Sequence, residues 1–147
     1  MQSSNFFALM ARMKYISRWG LMRSTTQENI QEHSLMVAML AHALAVIRRD
    51  VLGGAADPDR CAVIAIFHDA PEILTGDLPT PVKYFNPEIS ASYKAVERSA
   101  AELLLSMLPE ALAGAYTPLF TAEETDAESY ALVKAADRLA AYIKCVE

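Results

Sequence analysis

Cysteine is almost missing from this chain. Cys61 and Cys145 stand far apart and match no metal-binding or redox spacing. They read as reduced core thiols, which favours the cytoplasm. No apolar run approaches the roughly 18 residues that a membrane span needs. The start, Met1-Gln2-Ser3-Ser4-Asn5, lacks the basic stretch and cleavage site of a secretory signal. Positive charge is in deficit: the formal net charge is −5. Extended nucleic-acid polymers usually meet a basic face, which argues against them as partners. A small anion is still allowed, because local charge in a cleft can oppose the net charge. No segment alternates apolar and polar residues over a strand's length, so no sheet is expected.

What is present is helical. Hydrophobic residues make up 53% of the 147, enough for one domain over 1–147 around a single core. Asn5 to Ile16 carries apolar residues at three- and four-residue steps, a first helix that Gly20 stops. Thr25 and Glu28 have capping-box spacing before a long helix, about Asn29 to Arg49, closed by Gly53-Gly54. Asp57-Pro58 and Asn86-Pro87 each read as an N-cap followed by proline in the first helical position. The first opens a helix to about His68 or Asp69, and the second a longer one that Pro109 closes. Leu78 to Tyr84, with two prolines, reads as a loop. A short helix around Glu110 to Tyr116 precedes Pro118. The last helix starts near Glu123, capped by Thr121 with Glu124 in box spacing. Its pattern is still helical at Glu147, so the expectation is that the terminus cuts a longer protein.

The stretch around which the rest is organised is Phe67-His68-Asp69-Ala70-Pro71-Glu72, followed by Thr75-Gly76-Asp77. It sets an imidazole and three carboxylates at the end of an apolar helix. A buried carboxylate there is costly without compensation, and a bound cation is the commonest compensation. His33 and His42 are the other imidazoles. Nine residues separate them, about 900° of helical rotation, so they face nearly opposite ways and at most one can join His68. His33, near a helix start beside Glu32 and Ser34, is the better candidate. Asp137 lies on or beside the apolar stripe of the last helix. Alone it reads as a solvated position paired with Arg138 or Lys134; with the others it reads as a ligand.

The order His33, His68-Asp69, Asp137 resembles that of the HD-domain metal-dependent phosphohydrolases. More narrowly, Arg18-Trp19, Glu32-His33-Ser34, His68-Asp69, Glu72, Thr75-Gly76-Asp77-Leu78-Pro79-Thr80-Pro81-Val82-Lys83 and Asp137 together resemble the bacterial 5′-deoxynucleotidases of the YfbR type. The resemblance covers essentially the whole chain, and members of that family run on past the equivalent of Glu147. It implies an all-α HD-domain bundle of about six helices, a homodimer, and hydrolysis of deoxyribonucleoside 5′-monophosphates with breadth in base. It further implies that Trp19 walls the sugar and excludes a ribose 2′-hydroxyl, while Leu78, Pro79 and Thr80 frame the nucleoside. His33, Asp69, Asp77 and Asp137 would also meet the substrate.

The chemistry of these residues agrees. Two neutral imidazoles and two aspartates, His33, His68, Asp69 and Asp137, balance one divalent cation. Mixed nitrogen and oxygen ligands suit cobalt, manganese or copper, and also zinc, nickel or iron, better than magnesium or calcium. A second metal would need more histidines than His42, so one is expected. Arg18 offers a planar fork to phosphate oxygens. Glu72 and Asp77 would order the attacking water and handle the leaving oxygen's proton, in roles the sequence does not assign. Lys83 reads as a solvated lysine. Two other readings stand beside this one: an HD phosphohydrolase for another nucleotide, and a metal- or nucleotide-sensing module without turnover.

Overall fold

The computed structural model describes residues 5–147; the reading of Met1 to Ser4 lies outside them. Among the described residues there are nine α-helical segments: α1 Phe6–Met10, α2 Ile30–Val46, α3 Pro58–Phe67, α4 Glu72–Thr75, α5 Thr80–Lys83, α6 Pro87–Ser106, α7 Glu110–Phe120, α8 Ala122–Thr125 and α9 Ala127–Val146. They contain no strand, only an isolated antiparallel bridge between Ser17 and Asn29. The helix count exceeds six because α4, α5 and α8 are single turns. One of them, α5, occupies the proline-rich tract read as a loop: Pro81 sits in the first turn, where its missing N–H costs nothing.

The chain divides into two compact units: residues 1–30 with 69–114, and residues 31–68 with 115–147. In the second unit, α3 and α8 both pack on α9. Asp57 caps α3 by accepting from the Arg60 N–H at 3.0 Å, with Pro58 in the first turn. The α2 contribution to the core is a row at four-residue steps, Val37, Ala41 and Ala45, all fully buried. His33 begins the same row one turn earlier, which is why an imidazole comes to be buried. Cys61, Ile64 and Ala65 of α3 and Val133, Ala136 and Ala140 of α9 complete the core, with Leu119 and Ala122.

Several sequence expectations need correction here. The last helix is two: α8 ends at Thr125, and the carboxylate of Asp126 accepts from the Ser129 N–H and caps α9. Thr121 turns its hydroxyl back to the Thr117 carbonyl instead of capping. Pro118 lies inside α7 rather than beyond it. Cys61 is buried but Cys145 is exposed, so only one thiol is a core thiol. The helix of α2 continues through a wider π turn at Ile47–Val51. Over Ile30–Val51 it is, by length and composition, long and apolar enough to cross a membrane. The polar residues Glu32, His33, Ser34 and His42 break the strict run without lowering the average enough.

In the first unit, α1 tightens into a 3-10 turn, Ala11–Tyr15, instead of running unbroken to Ile16. Met13, Ile30 and Ile73 form a small core with Leu9, Met10 and Ile16 against them. Asn86 caps α6 through the Ile89 N–H at 2.8 Å. Against α6 pack α4 and α5. The chain reverses after Arg18, but not at Gly20: the residue with positive φ is Trp19, at 64°.

Candidate functional site

The second unit brings His33, His68 and Asp137 together. His33 is 1% exposed, and its Nε2 lies 3.1 Å from Oδ1 of Asp137. The His33 and His68 rings are 5.6 Å apart between centroids. Their ligand atoms lie within 4.8 Å of one another. His68 closes α3, and its Nδ1 donates to the Ala65 carbonyl at 2.6 Å. A carbonyl can only accept, so the proton is on Nδ1 and the lone pair is on Nε2, the form a metal takes. Asp137 stands one turn after Val133 on the buried side of α9. Its Oδ2 accepts from Lys134 at 2.6 Å. Burial pushes the Asp137 carboxyl up, but the His33 bond and the charge and bond of Lys134 outweigh it. The group is held well below the usual carboxylate range. His42 is apart, facing Asp59 on the exposed side of α2.

The donor set fits a divalent transition metal. His33 Nε2 and Asp137 Oδ1, 3.1 Å apart, are close enough for both to reach one cation at about 2.1 Å each. Asp69 is joined to His68 by a peptide bond, the point where the chain passes into the first unit.

The first unit gathers the remaining charged residues. Arg18 donates from Nη1 to Asp69 at 3.4 Å and from Nε to Oε2 of Glu28 at 3.1 Å. The same Glu28 oxygen accepts from the Trp19 indole at 2.9 Å. Glu28 was expected to cap a helix, and nothing in the sequence marks it as the partner of Arg18 and Trp19. Only the bridge that sets Ser17 beside Asn29 reveals it. Glu72 is 6% exposed, and its Oε2 has no hydrogen-bond partner among the described residues. Burial, with Asp69 and Asp77 nearby, pushes its carboxyl up to about 9, against the pull of Arg18 and Lys83. It is a neutral acid near pH 7.

Asp77, Leu78 and Pro79 are half-buried on the segment between α4 and α5, and Thr80 is exposed. That segment starts at Gly76, with φ 74° and ψ 164°, conformations open essentially to glycine alone. Tyr93 of α6 donates its hydroxyl to the Gly76 carbonyl at 3.1 Å. Lys83 is not the solvated lysine expected. It bonds Glu97 at 2.8 Å and lies 4.7 Å from the Tyr93 ring centroid. Burial works against its charge, and the Glu97 bond more than restores it.

An all-helical chain whose unit core ends in a His/Asp cluster has the makings of an HD-domain phosphohydrolase, and solved structures of that class share the fold. An HD-domain phosphohydrolase from Listeria innocua aligns with TM-score 0.80 at 22% identity, over 92% of this chain and 64% of its own. The cyanophage S-2L HD phosphohydrolase DatZ, solved with dA and one catalytic zinc ion, aligns with TM-score 0.64 at 27% identity. That match covers 96% of this chain and 70% of DatZ. At the level of sequence, the family described as 5′-deoxynucleotidase YfbR-like matches residues 5–147. A 5′-deoxynucleotidase of Vibrio cholerae is 54% identical over the whole chain and 76% of its own length. The 5′-deoxynucleotidase YfbR of Salmonella paratyphi B is 51% identical, over 74% of its length. The chain belongs to the YfbR-like 5′-deoxynucleotidase family, and with it to the phosphoric monoester hydrolases.

Proposed function

We propose that residues 1–147 act as one phosphohydrolase domain that cleaves deoxyribonucleoside 5′-monophosphates to deoxynucleoside and phosphate, with little preference of base. The observation that carries the reading is the pairing of His33 with Asp137 beside His68, which supports a nitrogen and oxygen ligand set. In this reading His33, His68, Asp69 and Asp137 hold one divalent transition metal. Cobalt, manganese or copper are the first to test, then zinc, the ion in DatZ, and nickel or iron. When bound, such a cation supplies Lewis acidity to a phosphoryl oxygen and to water.

The remaining steps fall to side chains of the first unit. Arg18 has five N–H donors, two of them engaged by Glu28 and Asp69, and the others serve the phosphate. Trp19 stands against the sugar, and the backbone of Leu78, Pro79 and Thr80 frames the nucleoside. Water attacks phosphorus as the bond to the 5′-oxygen breaks. Glu72, buried beside Asp69 and Asp77, gives that oxygen its proton. Asp77 orders the water and takes the proton it loses.

Two further features belong to the proposal. The free thiols of Cys61 and Cys145 suit a reducing cytoplasm. Exposed Leu35, Met36 and Met39 on α2 suit coverage by a second copy in a homodimer. The test is phosphate release from dAMP, dCMP, dGMP, dTMP and dUMP and from their ribose forms, after chelation and re-addition of cobalt or manganese. Release restored by metal and confined to the deoxy series supports the reading. Binding without release would favour a sensing module.

A further inference from the structure

Arg18 and Trp19 are consecutive, and in extended backbone consecutive side chains point to opposite faces. Here they converge on one atom. The Arg18 Nε and the Trp19 Nε1 both donate to Oε2 of Glu28, at 3.1 and 2.9 Å. The convergence follows from Trp19 having φ 64°, a left-handed conformation that a bulky residue rarely adopts. The main chain that carries this carboxylate is itself held by backbone bonds. The Arg18 N–H donates to the Glu28 carbonyl at 2.9 Å, and the Ile30 N–H to the Ile16 carbonyl at 3.0 Å. Arg18 and Glu28 are largely withdrawn from solvent, with side chains 13% and 17% exposed. A charge-assisted bond there is stronger than one in open water.

We propose that Glu28 is a positioning residue that locks the phosphate-binding guanidinium and the sugar-facing indole into one geometry. Through Trp19 it sets the preference for deoxyribose over ribose. The inference rests on the reading that Arg18 meets phosphate and Trp19 meets the sugar. Glu28 itself touches neither. One carboxylate thereby couples the recognition of the two ends of the substrate. A nucleotide that displaces the indole also loosens the arginine.

Trp19 is the only tryptophan in the chain, so intrinsic fluorescence reports on it without ambiguity and without substrate. In Glu28→Ala, with helix content by circular dichroism unchanged, indole emission shifts and acrylamide quenching rises. The KM for dAMP increases about tenfold and the deoxy-to-ribo ratio of kcat/KM falls toward one. In Glu28→Gln the amide oxygen still accepts from the indole but has lost the charge that holds Arg18. Emission and the deoxy-to-ribo ratio stay near native while KM still rises. If Glu28→Ala does not fold, Glu28→Gln decides, and an unchanged KM overturns the proposal. Native emission and quenching in a folded Glu28→Ala protein overturn it directly. Because fluorescence is read on the free protein, a chain without turnover would defeat the hydrolase reading and leave the clamp testable.

Discussion

Nε2 of His33 and Oδ1 of Asp137 lie 3.1 Å apart across 104 positions of sequence. Each is drawn to the meeting by its own helix: His33 heads the buried row of α2, and Asp137 follows Val133 by one turn on α9. In the metal-free protein a proton bridges the two. A cation held there would replace that proton, and Lys134 on the other carboxylate oxygen helps to keep Asp137 ionised. Changing Asp137 to Ala should therefore abolish metal retention, since one ligand and its charge disappear together. Elemental analysis after dialysis is the check, and stoichiometric metal in the variant would refute the ligand role.

The buried Glu72 carboxyl should make the metal-free protein weaker in alkali. Its ordinary value of 4.5 is raised to about 9 on folding. Between those two values the folded chain keeps a proton that the unfolded chain has lost, so stability falls as pH rises through that window. Asp137 works in the opposite sense. Its contribution is present above the ordinary carboxylate range and is lost as pH falls below it. Thermal melts in chelator at pH 5.5 and 8.5 should show a lower Tm at the higher pH, and Glu72→Gln should remove most of the difference. The same variant should retain nucleotide in calorimetry while losing turnover. A pH-independent Tm in the native protein would contradict the burial argument.

Legibility in the sequence divided along a physical line. Asp57-Pro58 and Asn86-Pro87 announced α3 and α6, because a cap and its proline act within four residues. The fully helical character followed from the absence of period-two patterning. The helix count was too low, because single turns such as α4 and α8 leave no periodicity to read. Glu28 was legible only as a cap. Its actual partners lie across a two-residue bridge, and no local rule connects positions ten apart in a non-helical segment. Lys83 was misjudged for the same reason: Glu97 and Tyr93 reach it from another helix.

Trp19 carries a conformational cost that can be separated from its role. Trp19→Ala keeps a side chain at φ 64°, whereas Trp19→Gly relieves the strain. The glycine variant should be the more stable of the two by about 1 kcal/mol, measured by urea unfolding. Both should lose discrimination against ribonucleotides to a similar extent, about tenfold in kcat/KM ratio. An unaltered deoxy-to-ribo ratio in either would remove Trp19 from the sugar site. Equal stability in the two would show that the strain is absent in solution.

The segment carrying Asp77, Leu78, Pro79 and Thr80 is fastened at its start by one hydroxyl, that of Tyr93 on the Gly76 carbonyl. Tyr93→Phe keeps the ring that Lys83 lies over and deletes the hydroxyl's bonds to the Gly76 carbonyl and to Thr75, so its stability cost should be about 1 kcal/mol. The kinetic effect should exceed the structural one. With the segment free to shift, the KM for deoxynucleotides should rise several-fold while the thermal transition moves by only a few degrees. Gly76→Ala attacks the same fastening from the backbone, forcing a side chain into φ 74°. It should lower stability and affinity together. If Tyr93→Phe left KM untouched while Gly76→Ala raised it, the hydroxyl would be irrelevant and the glycine conformation alone would place the segment.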